Sequence, residues 1–172
     1  MIELFERVPK INNWESTSNV TITDRMFNGD IIFHKLKFHY PSRPNVTVLD
    51  NLMLSIKKGQ RVALVGSSGC GKSTVTQLLE RFYDSDQGSI YISGFDIRQL
   101  NLFWLRSQIG LVSQEPILFD TSIAENIAYG CDDGEINMQK IVYAARQANI
   151  HDFIMKLPQV RLIYSILLKY VT

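Results

Sequence analysis

The spacing of apolar residues changes character near residue 60. Before it, residues 31–40 (IIFHKLKFHY) alternate as a half-buried strand does, and Pro41 and Pro44 end the run. Residues 46–49 and 52–56 have the composition of two further short strands, and residues 57–60 (KKGQ) read as a turn. Beyond that turn, strand-like apolar runs at 61–65, 89–93 and 109–113 alternate with stretches of helical period. The first of these helices covers 73–81, with Val75, Leu78 and Leu79 at helical spacing, and the second carries Leu102 to Leu105 behind the capping residue Asn101. Two more are expected at about 122–128 and 135–149, the latter with Ile136, Ile141, Ala144 and Ala145 on one side. Residues 1–29 show little periodicity and read as a linker. The pattern predicts an α/β fold: a mainly parallel sheet with an antiparallel patch at its front.

Composition narrows the class without naming it. A chain of 172 residues with 45% apolar content can bury roughly 70% of its unfolded surface, which suits one domain. The 18 Lys and Arg balance the 17 Asp and Glu, so no strong field exists to draw in nucleic acid or an anionic membrane. The N-terminus is acidic where a secretory signal is basic, and no apolar run approaches the roughly 18 residues of a spanning helix, so the chain alone is expected to be soluble and intracellular. Cys70 and Cys131 make neither a disulfide framework nor a metal spacing, and His34, His39 and His151 are too dispersed for a metal site. Sequons at Asn19 and Asn45 are short patterns that recur by chance.

The chemistry enters at residues 66–73, GSSGCGKS. The motif follows an expected strand and opens an expected helix, the context that a P-loop requires. Its glycines let successive backbone N–H groups turn inward around a phosphate, the helix N-terminus adds partial positive charge, and Lys72 adds a full one. That arrangement points to a nucleoside triphosphate. By itself it leaves kinases, GTPases, motor ATPases and transporters open.

Further segments carry a family likeness. Residues 38–44 (FHYPSRP), 65–74 (VGSSGCGKST), 79–83 (LERFY), 105–106 (LR), 112–116 (VSQEP) and 118–119 (LF), followed by 123–130 (IAENIAYG), resemble the nucleotide-binding domain of ABC exporters. Within that family the segments most resemble the multidrug-resistance subfamily that includes P-glycoprotein and the bile salt pump. The resemblance covers about residues 28–158 and implies a P-loop NTPase core behind an N-terminal antiparallel β-subdomain, with 1–29 as the linker after a membrane domain. It makes Tyr40 the ring on which adenine stacks, and Gly66, Ser67, Ser68, Gly69, Cys70, Gly71, Lys72, Ser73 and Thr74 the cradle for the phosphates of ATP. Ser73 and Gln114 are implied as Mg²⁺ ligands, Gln114 also reaching the attacking water. Without the family, Tyr40 also admits the reading of a strand-end packing tyrosine, and Gln114 without its Glu115-Pro116 context reads as a solvated glutamine.

The resemblance also implies partners: a membrane domain docking on residues 115–130, whose apolar side chains read equally as core, and a second ATP-binding domain in a head-to-tail dimer. The implied location is the cytoplasmic face of a membrane. After Pro158 the likeness stops. Residues 159–172 form a divergent apolar tail, and the 172 residues contain no LSGGQ signature, no Asp-Glu strand and no switch histidine. The expectation is therefore half of a nucleotide site; residues 160–168 read first as a sequence that has diverged through truncation, altered splicing or a gene-model boundary, and alternatively as a strand that partly fills the gap left by the strands the family would place there. The alternative function is a non-catalytic module that docks on membrane-domain loops or on a complete ATP-binding partner. A kinase or GTPase fits poorly, since no guanine-reading Asn-Lys-x-Asp pattern is present.

Overall fold

A computed structural model of the chain describes residues 10–11, 20–23, 26–113, 117–131 and 137–157. These form two compact units, one up to Leu111 and one from Val112 onward.

The first unit is built on a four-stranded antiparallel sheet, in the order β2–β1–β3–β4. Strand β1 is Ile31–His39, β2 Thr47–Ile56, β3 Gln87–Ile92 and β4 Phe95–Asp96. Strict alternation along β1 would send Phe33 and Leu36 to opposite faces, yet both are buried, together with Phe38. A bulge reconciles them: Lys35 takes a positive φ of 50°, and the pairing with β2 shifts between Phe33 and Leu36. A matching irregularity in β2, where Asn51 has φ 53°, keeps residues 47–56 in one strand where the sequence reads as two. Gly88 sits against the β1 bulge. A side chain there would come within 2.4 Å of the carbonyl oxygens of both His34 and Lys35, and its φ is 80°, so glycine is required twice over.

Helix α1, Lys72–Leu79, buries Thr74, Val75 and Leu78. A 3₁₀ turn at Ile97–Gln99 leads to α2, Leu102–Ser107, whose first turn is capped as expected: Asn101 Oδ1 accepts from Trp104 N at 2.9 Å. The core contains Phe33, Leu36, Phe38, Leu78, Ile90, Leu100 and Leu105. Ile22, within the stretch that reads as a linker, is buried in this core, and Val20 forms a parallel bridge with Leu100.

Two expected strands do not form. Residues 61–65 and 109–113 lie in no strand, and Val65 and Val112 are 92% and 95% exposed. Among the described residues no neighbouring strand offers them a ladder of backbone hydrogen bonds, and without one an apolar run cannot become a buried strand. What forms is the antiparallel subdomain with its helices, the incomplete form of the expected α/β fold. The apolar tail from 159, including its expected strand, lies outside the described residues.

In the second unit, α3 is Ile123–Ala128, α4 Met138–Gln147 and α5 His151–Met155. Ser122 and Glu125 form a reciprocal capping box at the start of α3. Asn137 caps α4, whose Ile141 and Ala145 are buried, whereas Ala144, expected on the same side, is exposed. Ala145 and Ile154 form the core, with Ile123, Ile127 and Leu157 packed against it. The short α5 is not evident from the sequence, since five residues give too little periodicity.

Candidate functional site

The GSSGCGKS loop enters from residues 61–65, which lie in no strand, and leaves through α1. Gly69 (φ 80°) and Gly71 (φ 92°) both take the left-handed conformation that turns the backbone back on itself. Gly71, at the N-cap of α1, is buried against β2. A Cβ there would meet Leu49 Cδ2 at 2.9 Å and the Val48 carbonyl oxygen at 3.2 Å. The N-terminus of α1 has no side-chain cap and no acidic residue in its first turn, so the helix itself supplies no anion to its leading N–H groups and partial positive charge.

Lys72 closes the loop. Its ammonium donates to the carbonyl oxygens of Gly66 at 2.9 Å and Ser67 at 2.6 Å, and lies 3.4 Å from Cys70 Sγ. An ammonium has three donors, so the loop is folded around the charge and an incoming anion must exchange with these contacts. Ser67, Ser68, Gly69, Cys70 and Ser73 are exposed, with the Ser73 hydroxyl at the start of α1. These features fit a polyphosphate: an open cradle, positive φ at two glycines, an uncapped helix start and one cation. They fit Mg²⁺ only through Ser73. Among the described residues no cluster of His, Cys, Asp or Glu is placed to hold a metal, so the ion would depend on the oxygens of the nucleotide. Gln114, the other expected ligand, lies outside the described residues.

Tyr40 stands beside this helix. Its hydroxyl lies 2.8 Å from Thr74 Oγ1 and donates to Gln77 Oε1 at 2.8 Å. Its ring packs nearly perpendicular to Phe38 at 5.0 Å and to Tyr83 at 5.4 Å, and is only partly buried. Sequence reasoning passed over Gln77 and the Thr74 hydroxyl as partners of Tyr40. The available signal was that residues three apart share one helix face.

Behind the loop, the turn at 57–60 forms as expected. Asp30 accepts from Lys57 Nζ at 2.9 Å and from Lys58 N at 3.0 Å, and the bond from Lys57 holds its carboxyl below the usual value.

Of the expected docking stretch 115–130, residues 117–130 are described. Ile117 and Leu118 are 83% and 78% exposed, which makes them surface in this structure. Phe119 stacks on Tyr129 with ring centroids 4.2 Å apart. Asn126 ties the loop before α3: its amide donates to the carbonyls of Phe119, Thr121 and Ser122, and its oxygen accepts from Phe119 N. Among the described residues no helix is long and apolar enough to cross a membrane.

Residues 49–169 match the family model described as ABC transporter. The chain is 48% identical over 159 residues to ATP-binding cassette sub-family B member 5 of Mus musculus, covering 92% of this chain and 12% of that protein. It is 49% identical over 156 residues to Multidrug resistance protein pgp-1 of Caenorhabditis elegans, covering 91% and 12%. ABC transporter B family member 4 of Dictyostelium discoideum is 51% identical over 157 residues, covering 91% and 20%. Among solved structures, a bacterial Atm1-family ABC exporter with ATP bound superimposes with a TM-score of 0.79 at 34% identity, over 92% of this chain and 26% of that one. The chain thus spans a small part of the length of these relatives, and it belongs to the ABC transporter family.

Proposed function

We propose that this chain binds ATP and serves as part of an exporter that couples ATP hydrolysis to transport across a membrane. The observation that carries the reading is the loop of residues 66–71, bent at Gly69 and Gly71 and folded around Lys72 at an uncapped helix start. In this reading the amides from Gly69 to Thr74 hold the β-phosphate, and Lys72 moves from the loop carbonyls to bridge the β- and γ-phosphates. Ser73 and Gln114 contribute oxygens to Mg²⁺. The partly exposed ring of Tyr40 takes the base, an interaction with little hydrogen-bond selectivity.

The partners are a membrane domain, docked on the exposed apolar residues of the 115–130 stretch, and a second ATP-binding domain in a head-to-tail dimer. The location is then the cytoplasmic face of the membrane. The 172 residues contain no Asp-Glu strand, and a general base of that kind contributes about 10² to 10⁴ in rate. Phosphate release by this polypeptide alone is therefore expected near background.

The test is titration with a fluorescent ATP analogue and Mg²⁺. Loss of a charge-assisted contact in Lys72→Ala should weaken binding about 10- to 100-fold. Equal binding by the two proteins would remove the loop from the argument.

A further inference from the structure

Tyr40 is fixed at more points than a stacking surface needs. A phenol carries one proton. With that proton donated to Gln77 Oε1, the 2.8 Å contact to Thr74 has the threonine hydroxyl as its donor. Phe38 and Tyr83 then hold the ring at interplanar angles of 77° and 87°. Both hydroxyl partners belong to α1, the helix whose first residues close the phosphate loop. A base and its phosphates are joined by a sugar of limited reach. A ring that receives the base must therefore sit at a set distance and tilt from the cradle, and loss of that placement weakens binding without removing any direct contact.

We propose that Gln77 is a positioning residue for nucleotide recognition: together with Thr74 it locks the Tyr40 ring to α1 and so sets the span between base and phosphates. Gln77 acts through Tyr40 and makes no contact with the nucleotide. The inference rests on the reading of the loop as a phosphate cradle and of Tyr40 as the base platform, and the test separates the three claims.

Calorimetric titration of the full chain with ATP and with inorganic tripolyphosphate, both with Mg²⁺, compares a ligand that has a base with one that lacks it. The wild type should prefer ATP. Gln77→Leu should lose about threefold to tenfold in ATP affinity, the worth of one hydrogen bond, with tripolyphosphate affinity unchanged. Gln77→Glu keeps an acceptor oxygen and should keep the wild-type ratio of the two affinities, even though its charge weakens both. A merely structural glutamine would lower both ligands together or neither. Thermal melts establish that each variant is folded; if Gln77→Leu is not, Tyr40→Phe removes the shared hydroxyl, keeps the ring and carries the same expectation.

An unchanged ratio in folded Gln77→Leu or Tyr40→Phe, or a gain in ATP affinity in either, overturns the proposal. Failure of the wild type to bind tripolyphosphate would instead strike the cradle. Equal affinity for the two ligands would strike the Tyr40 platform, and the inference falls with either.

Discussion

Residues 31–39 and 61–65 are both apolar and rich in strand-forming side chains, yet they end in different states. β1 has a partner on each side, β2 and β3, and its Phe33, Leu36 and Phe38 fall to 2%, 0% and 1% exposure. The 61–65 segment has no strand partner among the described residues, and Val65 stays 92% exposed. The exposed segment is the more apolar of the two, with four apolar side chains in five residues against five in nine for β1, so the difference lies in whether backbone N–H and C=O groups can be satisfied on burial. The consequence falls on the loop between 61–65 and α1, which is anchored from its helix side: Gly71 rests on β2 and Thr74 bonds to Tyr40.

Paired truncations give the largest contrast. Phe33 faces Leu54 on β2 and Ile90 on β3, and Phe33→Ala should cost about 3–5 kcal/mol in urea or guanidinium unfolding. Val65→Ala removes a side chain already in water and should change stability by less than about 0.5 kcal/mol. A cost above about 1 kcal/mol for Val65→Ala would mean that the segment finds a partner in solution, and the comparison would fail.

The same contrast explains what was legible in the sequence. Features whose cause is local could be read directly: the Asn101 cap, the helix start at Ser122, the turn at 57–60 and the backbone turns of the glycine-rich loop. Features that depend on residues distant in sequence could not. The strand state of 61–65 and 109–113 needs neighbours that a local pattern does not reveal. The continuity of β2 through Asn51 needs the matching bulge at Lys35 in β1. The hydroxyl partners of Tyr40, 34 and 37 residues away, are another such case.

A smaller effect sharpens the claim that the loop is held through its helix. At the far end of α1, Arg106 from α2 donates to the carbonyls of Glu80 at 3.1 Å and Arg81 at 3.3 Å, and its guanidinium lies 4.7 Å from the centre of the Phe82 ring. A cation at a helix C-terminus satisfies carbonyls that the helix cannot and complements its dipole. Arg106→Met keeps most of the apolar stem and should cost about 1–3 kcal/mol. Arg106→Lys should recover part of that loss, because it restores the charge without the fork of donors. Full recovery by Lys would assign the effect to charge alone and remove the paired hydrogen bonds from the account.

The smallest effect concerns Glu80, which is 8% exposed beside this clamp. Burial raises its carboxyl above the usual 4.5, and the positive charge of Arg106 partly opposes the rise. The folded chain therefore holds this proton more tightly than the unfolded chain does. Stability contributed by Glu80 is greatest below pH 4.5 and declines as pH rises through the folded-state value. Glu125 runs the other way, since hydrogen bonds from Ser122 hold it low, and its contribution is lost as pH falls. Glu80→Gln should accordingly gain on the wild type between pH 4 and pH 7 in denaturant titrations. In an Arg106→Met background the opposing charge is gone and that gain should widen, a coupling that a double-mutant cycle reads directly. A difference that does not vary with pH in either background would mean that the carboxyl reaches water when the protein is in solution, and that the far end of α1 is looser than its hydrogen bonds imply.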